Sequence, residues 1–141
     1  MIAVINGPNL NLLGKREPNI YGRISFEDYL RKLREDYPDT PIEYFQSNSE
    51  GEIIDFLHKL GYDRPECKGI VINPGAYSHY SYAIADAISS INVPVVEVHI
   101  SNIMKREDFR HKSVTAPVCA GMVTGFGMKG YSLALHYLLS L

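Results

Sequence analysis

Cysteine is scarce in this chain of 141 residues: Cys67 and Cys119 stand far apart and neither belongs to a CxxC pair. That excludes a framework of disulfides and reads as two reduced thiols of a cytoplasmic protein. An excess of one charge is also lacking. Fourteen Lys and Arg against sixteen Asp and Glu leave a formal net charge of -2, which gives no electrostatic reason for a nucleic-acid or anionic-membrane partner. No apolar run approaches the roughly 20 residues needed to span a bilayer. The opening Met1-Ile2-Ala3-Val4-Ile5-Asn6 lacks a basic n-region and turns polar at Asn6, so it reads as a first strand and not as a signal peptide. Internal repeats, low-complexity segments, linkers, a Walker motif, HExxH and any His/Cys spacing suited to a metal are missing as well. What is present, 45% hydrophobic and 21% charged residues, fits one domain over 1–141 with a real core.

The stretch from Asn6 to Gly22 mixes backbone breakers with polar and charged side chains and holds no sustained helical or strand period. Leu10, Leu12, Leu13, Ile20 and Tyr21 give it apolar anchors, so it reads as a lid over about 7–22 that carries functional groups. Around it, short apolar runs alternate with amphipathic ones. Strands are expected at Ile2–Ile5, Ile42–Gln46, Gly69–Asn73, Val93–Val98 and Val118–Thr124. Capping-box signals at Ser25 with Asp28, and at Ser49 with Glu52, open helices that should end by Pro38 and at Gly61. Further helices are expected at about Ser81–Ile91 and Gly130–Leu139, whereas Ser101–Thr115 reads as irregular and basic, with at most a short helix near Lys105–Phe109. This alternation predicts an α/β fold of flavodoxin-like topology, a five-stranded parallel sheet with helices on both faces.

In such a sheet ligands bind beyond the carboxyl ends of the strands. Asn6 and Asn9 follow the first strand, Asn73, Ser78 and His79 the third, and His99, Ser101, Asn102, Arg106 and Arg110 the fourth. Their convergence argues for an organic anion such as a carboxylate. Each residue also has a plain structural reading. Tyr21 is one of ten tyrosines and can be an apolar anchor; Arg16 beside Glu17 can be a solvated pair; Asn73 and His79 can satisfy turn backbone. His99 is more pointed, because strand alternation puts Glu97 on its side, where a carboxylate fixes the imidazole and favours its protonated form. Gly125-Phe-Gly-Met-Lys-Gly130 matches GxGxxG, yet no following strand supplies a ribose-binding acid, so a tight turn with close helix packing accounts for it better.

The chain resembles the type II 3-dehydroquinate dehydratases over nearly its whole length. Four blocks carry the resemblance: Asn6-Gly-Pro-Asn-Leu-Asn-Leu-Leu-Gly14 continuing into Arg16-Glu-Pro-Asn-Ile-Tyr-Gly22; Asn73-Pro-Gly-Ala-Tyr-Ser-His79; Glu97-Val-His-Ile-Ser-Asn102; and Gly125-Phe-Gly with Gly130-Tyr131. It implies dehydration of 3-dehydroquinate to 3-dehydroshikimate through an enolate, without a cofactor or metal. It implies Tyr21 as the base, Arg16 as the cation that favours its phenolate, His99 oriented by Glu97 as the acid, and Asn9 as a residue that helps position the water or polar group facing the enolate oxygen. Asn73, His79, Ile100, Ser101 and Arg110 would hold the ring hydroxyls and carboxylate. Asp86 matches a family position that reaches a neighbouring subunit's site, and the family assembles as trimers grouped into dodecamers. Tyr80 and Met104 depart from the family pattern, which commonly has a small hydroxyl residue and a His there.

Rival readings are a flavin-binding or receiver module of the same fold, and a hydrolase using Ser78 and His79. A receiver needs acidic residues where Asn6 and Asn73 stand, a flavin site a hydroxyl-rich and Gly-rich loop after strand one, and adjacent residues rarely have the geometry of a nucleophile and its base.

Overall fold

Five apolar segments pair side by side and all in parallel: β1 (Ile2–Asn6), β2 (Ile42–Gln46), β3 (Gly69–Asn73), β4 (Val95–His99) and β5 (Gly121–Thr124), in the order β2-β1-β3-β4-β5. The computed structural model describes Met1–Leu141. Every residue of β1, β3 and β4 is buried, which is why those segments read as unbroken apolar runs rather than alternating ones. Four helices lie between strands, α1 (Pro18–Tyr21), α2 (Phe26–Asp36), α3 (Glu50–Tyr62) and α4 (Tyr82–Ser89), and a fifth, α5 (Lys129–Leu139), follows β5. The strand order is that of the flavodoxin-like fold. No helix is long and apolar enough to cross a membrane.

Strand alternation divides the core in two. Ile2 and Val4 point to the face covered by Phe26, Leu30 and Leu33 of α2 and by Tyr131, Leu135 and Leu138 of α5. Ala3 and Ile5 point to the other, under Ile53, Leu57 and Leu60 of α3 and Ile84 and Ile88 of α4. Each such side chain contributes roughly 1.5–3 kcal/mol on burial. Leu10 and Leu13, from the segment after β1, belong to the first cluster and tie that segment to it.

The helix starts are capped from the chain itself. Ser25 Oγ accepts from the Asp28 N–H at 3.2 Å, with Glu27 and Asp28 in the positive first turn of α2. The reciprocal half of the expected box is absent there, because the Asp28 carboxylate pairs with Arg31. At α3 it is relayed. Ser49 Oγ accepts from the Glu52 N–H, while the Ser49 N–H donates to Ser47 Oγ, which in turn donates to the Glu52 carboxylate.

Several details differ from the expectation. β5 starts at Gly121 rather than Val118, since Pro117, without an N–H, places Ala116–Val118 in a 3-10 turn. β4 starts at Val95, after Pro94, for the same reason. Gly61 does not close α3 but lies inside it: a Cβ there would stand 2.2 Å from Ile91 Cγ2, so its lack of a side chain lets the segment after α4 pack against the helix. The stretch after β4 forms two 3-10 turns, Ile103–Lys105 and Asp108–Arg110, separated by extended Arg106, instead of one helix. Within the stretch after β1, a 3-10 turn at Leu10–Leu12 and the single turn α1, begun by Pro18 where its missing N–H costs nothing, replace the expected featureless loop.

Candidate active site

The strands β1, β3 and β4 end on Asn6, Asn73 and His99, three polar residues at the carboxyl end of the sheet. The turns that follow β1 and β3 approach closely. The Gly7 N–H donates to the Asn73 carbonyl at 2.8 Å, and a Cβ on Gly7 would stand 2.4 Å from the Pro74 carbonyl oxygen, so only glycine fits. Asn9 adopts a left-handed backbone, which asparagine tolerates better than most residues, and its N–H donates to Asn48 Oδ1 at 3.0 Å. These turns and the stretch after β4 enclose a cavity.

One wall of that cavity comes from the segment after β1: Asn9, Arg16 and Tyr21. Asn73 and His79 come from the β3 end, and His99, Ile100, Ser101, Arg106 and Arg110 from the β4 side. The Tyr21 hydroxyl is held by two guanidinium groups. Arg106 Nη1 donates to it at 2.8 Å and Arg16 Nη2 at 3.5 Å, the latter also paired with Glu17 at 3.0 Å. Both guanidinium carbons lie over the ring, at 5.1 Å for Arg16 and 5.4 Å for Arg106. Arg106 also reaches Ser101 Oγ at 3.3 Å. Two guanidinium groups thus converge on one phenol oxygen.

On the facing side, His99 Nε2 lies 2.7 Å from Glu97 Oε2. Glu97 is wholly buried. Its carboxylate also accepts from Ser113 Oγ at 2.7 Å and from Thr115 Oγ1, so the buried charge is compensated on both oxygens. That leaves Nδ1 as the His99 nitrogen open to a ligand. His79 lies beside His99, ring centroids 6.3 Å apart and planes at 19°. Its Nδ1 is 2.8 Å from the Lys112 carbonyl oxygen, which requires the proton on Nδ1 and leaves Nε2 as an acceptor in the neutral ring. Desolvation by burial holds the His79 imidazole below its ordinary range, against the raising effect of that carbonyl. Burial, with a smaller contribution from Glu97, pushes the Cys119 thiol up to about 12, which removes it as a nucleophile near neutral pH.

Of the residues singled out in the sequence, Asn9, Arg16, Tyr21, Asn73, His79, His99, Ile100, Ser101 and Arg110 meet in this one cavity, with Glu97 directly behind His99. Asp86 does not line it and is exposed on α4. Arg106 was legible only as one of several cations after β4, and Ser113, Thr115 and Tyr131 were not read as part of the site. The GxGxxG segment is a tight turn, with Gly125 and Gly127 at φ +92° and +61° and a Cβ on Gly130 only 3.1 Å from Val98 Cγ1. No group of three His, Cys, Asp or Glu side chains is gathered as a metal centre needs.

A flavodoxin-like sheet carrying a Tyr–Arg pair opposite a His–Glu pair, with further cations beside them, defines an α/β protein built for acid–base chemistry on an anion. Its relatives narrow that class. The chain belongs to the class II dehydroquinases, whose family model, Dehydroquinase class II, matches residues 1–139. It is 56% identical over 139 residues to the 3-dehydroquinate dehydratase of Caldicellulosiruptor bescii, covering 97% of this chain and 94% of that one. The 3-dehydroquinate dehydratase of Thermotoga maritima is 56% identical over 140 residues, covering 97% and 93%. The crystal structure of the type II dehydroquinase from Butyrivibrio crossotus superposes with a TM-score of 0.93 at 50% identity, over 98% of this chain and 96% of that one. That from Propionibacterium acnes gives 0.93 at 44% identity, over 99% and 96%.

Proposed function

We infer that this chain is a hydro-lyase that dehydrates 3-dehydroquinate, in the shikimate pathway, to 3-dehydroshikimate. The observation that carries the reading is the Tyr21 hydroxyl bonded to Arg106 and Arg16 in the same cavity as a His99 braced by Glu97. In the proposed mechanism the Tyr21 phenolate takes the proton alpha to the ketone, giving an enolate that Asn9 helps to stabilise. His99 then gives a proton to the departing hydroxyl, which leaves as water, a trans elimination. Both proton carriers end neutral, Tyr21 protonated and His99 deprotonated, and the passage of one proton from the first to the second through solvent restores them. Asn73, His79, Ile100, Ser101 and Arg110 hold the substrate hydroxyls and carboxylate, the last by its guanidinium.

We also propose that 7–22 acts as a lid on a single catalytic domain over 1–141, closing water out of the cavity during turnover. The assembly is proposed to be a dodecamer of trimers. Exposed Asp86 then serves a neighbouring copy's cavity rather than its own. The proposed compartment is the cytoplasm. The deciding experiment mixes the purified protein with 3-dehydroquinate and follows the ultraviolet absorbance of the conjugated enone product. Growth of that absorbance in wild type and its loss in Tyr21→Phe support the reading; an inactive wild type, or a fully active variant, refutes it.

A further inference from the structure

Beneath the cavity floor a row of side chains has its hydrogen bonds directed by one backbone group. Asn6 and Asn73 are register partners at the ends of β1 and β3, and Tyr131 from α5, fully buried, places its hydroxyl between them. The Gly75 N–H donates to Asn73 Oδ1 at 3.1 Å. A backbone N–H can only donate, so the amide oxygen of Asn73 is fixed toward Gly75 and its Nδ2 toward Tyr131. Nδ2 donates to the Tyr131 hydroxyl at 3.0 Å. Already an acceptor there, that hydroxyl gives its one proton to Asn6 Oδ1 at 2.7 Å. Asn6 Nδ2 closes the row on the Tyr44 hydroxyl at 3.3 Å.

The row is rigid and does not titrate. Phe26 and Tyr29 hold the Tyr131 ring at centroid distances of 4.9 and 6.0 Å. Burial pushes the Tyr131 phenol far up, and the Tyr44 phenol up to about 12, so both stay neutral near pH 7. Asn73 Nδ2 carries two hydrogens and has one partner in the protein, while Asn73 lines the cavity. A donor therefore remains for a ligand.

We propose that Tyr131 is a positioning residue for the substrate: with the Gly75 N–H setting which way the Asn73 amide faces, the Tyr131 hydroxyl holds that amide in place, so that the cavity presents a well-placed N–H donor, and never a carbonyl, to an acceptor oxygen on the substrate ring. This rests on the reading of Asn73 as a substrate-binding residue. A ligand whose polar group at that place can only donate is rejected, because Asn73 cannot turn over without leaving the Gly75 N–H unpaired.

The test compares Tyr131→Phe, Tyr44→Phe and Asn73→Ala by steady-state kinetics with 3-dehydroquinate and by thermal unfolding. Tyr131→Phe keeps the packed ring and raises KM about tenfold, the loss of one well-placed hydrogen bond, with kcat within about threefold and the pH profile unmoved. Tyr44→Phe breaks the far end of the row and lowers the melting temperature with KM unchanged. Asn73→Ala raises KM at least as much as Tyr131→Phe. If Asn73→Ala raises KM and Tyr131→Phe does not, or if both Tyr variants raise it alike, the positioning role is overturned. If Asn73→Ala leaves KM unchanged, the reading of Asn73 itself falls. Should Tyr131→Phe not fold, Asn6→Ala frees the Tyr131 proton to turn toward Asn73 and raises KM; an unchanged KM in that variant overturns the proposal.

Discussion

Arg106 Nη1 sits 2.8 Å from the hydroxyl of Tyr21, a partner 85 positions away in the chain and nearer than Arg16 at 3.5 Å. Arg16 also shares its guanidinium with Glu17, which offsets part of its charge. Arg106→Ala is therefore expected to cost more of kcat than Arg16→Ala, by about tenfold or more, at every pH of a pH–rate profile. Arg106→Lys, which keeps the charge but not the fork, should fall between. Equal profiles for wild type and Arg106→Ala would remove Arg106 from the chemistry.

Tyr21→Phe deletes one oxygen from a half-buried ring that packs on the first core cluster. Turnover is expected to drop by about 10²–10⁴-fold, the usual range for losing a general base, while the melting temperature stays close to that of wild type. The ultraviolet assay and a thermal melt on the same preparation check both parts.

Glu97→Gln keeps the shape of the side chain but removes the buried charge that faces His99. The amide also brings N–H groups into a space already filled by the donors Ser113 and Thr115. A fall in kcat of about 10²–10⁴-fold is expected, together with a loss of stability, since a single acceptor oxygen remains where His99, Ser113 and Thr115 now converge on two. Full activity in Glu97→Gln would show that His99 needs no orienting anion.

His79 gives a pH test of stability. Burial holds its imidazole below the ordinary range in the folded chain, while the unfolded chain takes up a proton near the ordinary value of about 6.5. Below that pH the unfolded state binds more protons, so stability falls as the medium is acidified. Denaturant unfolding at about pH 8 and about pH 5.5 should show a smaller acid loss in His79→Asn than in wild type. Equal losses would mean that His79 does not resist protonation.

Gly61→Ala places a methyl 2.2 Å from Ile91 Cγ2 and 2.6 Å from its Cβ. Although alanine is the better helix former, overpacking is expected to win and to destabilise the chain by about 1–3 kcal/mol. Ile91→Ala in the same chain should recover part of that loss. Denaturant melts of the two single variants and the double variant measure the coupling.

The sheet was legible because β1 and β3 are buried on both faces, so five-residue apolar runs ending in Asn declared themselves without help from any partner. Glu97 and His99 were legible for a similar reason: two residues apart on a strand, they had to share a side. Arg106 was not, because the stretch after β4 has no period and nothing local ties a cation there to a tyrosine before α2. Tyr131 stood out only as part of the Gly130-Tyr131 block, and its spacing to Leu135 and Leu138 in α5 is that of a core residue, which gives no sign of what its hydroxyl meets. Gly61 misled for a third reason. A glycine at the end of an apolar helical pattern usually marks a stop, and only Ile91, thirty positions on, reveals that it marks a close approach.

Asn6 is followed by Gly7, and that dipeptide is a common place for proteins to age, by attack of the glycine nitrogen on the asparagine side-chain carbonyl with release of ammonia. Here the attacking nitrogen is engaged with the Asn73 carbonyl, and the side chain under attack is clamped between Tyr131 and Tyr44. The folded chain thus shields its own weakest peptide against spontaneous deamidation. Heating exposes it, so repeated melting should leave a growing fraction one unit more acidic by isoelectric focusing and unable to regain its native form.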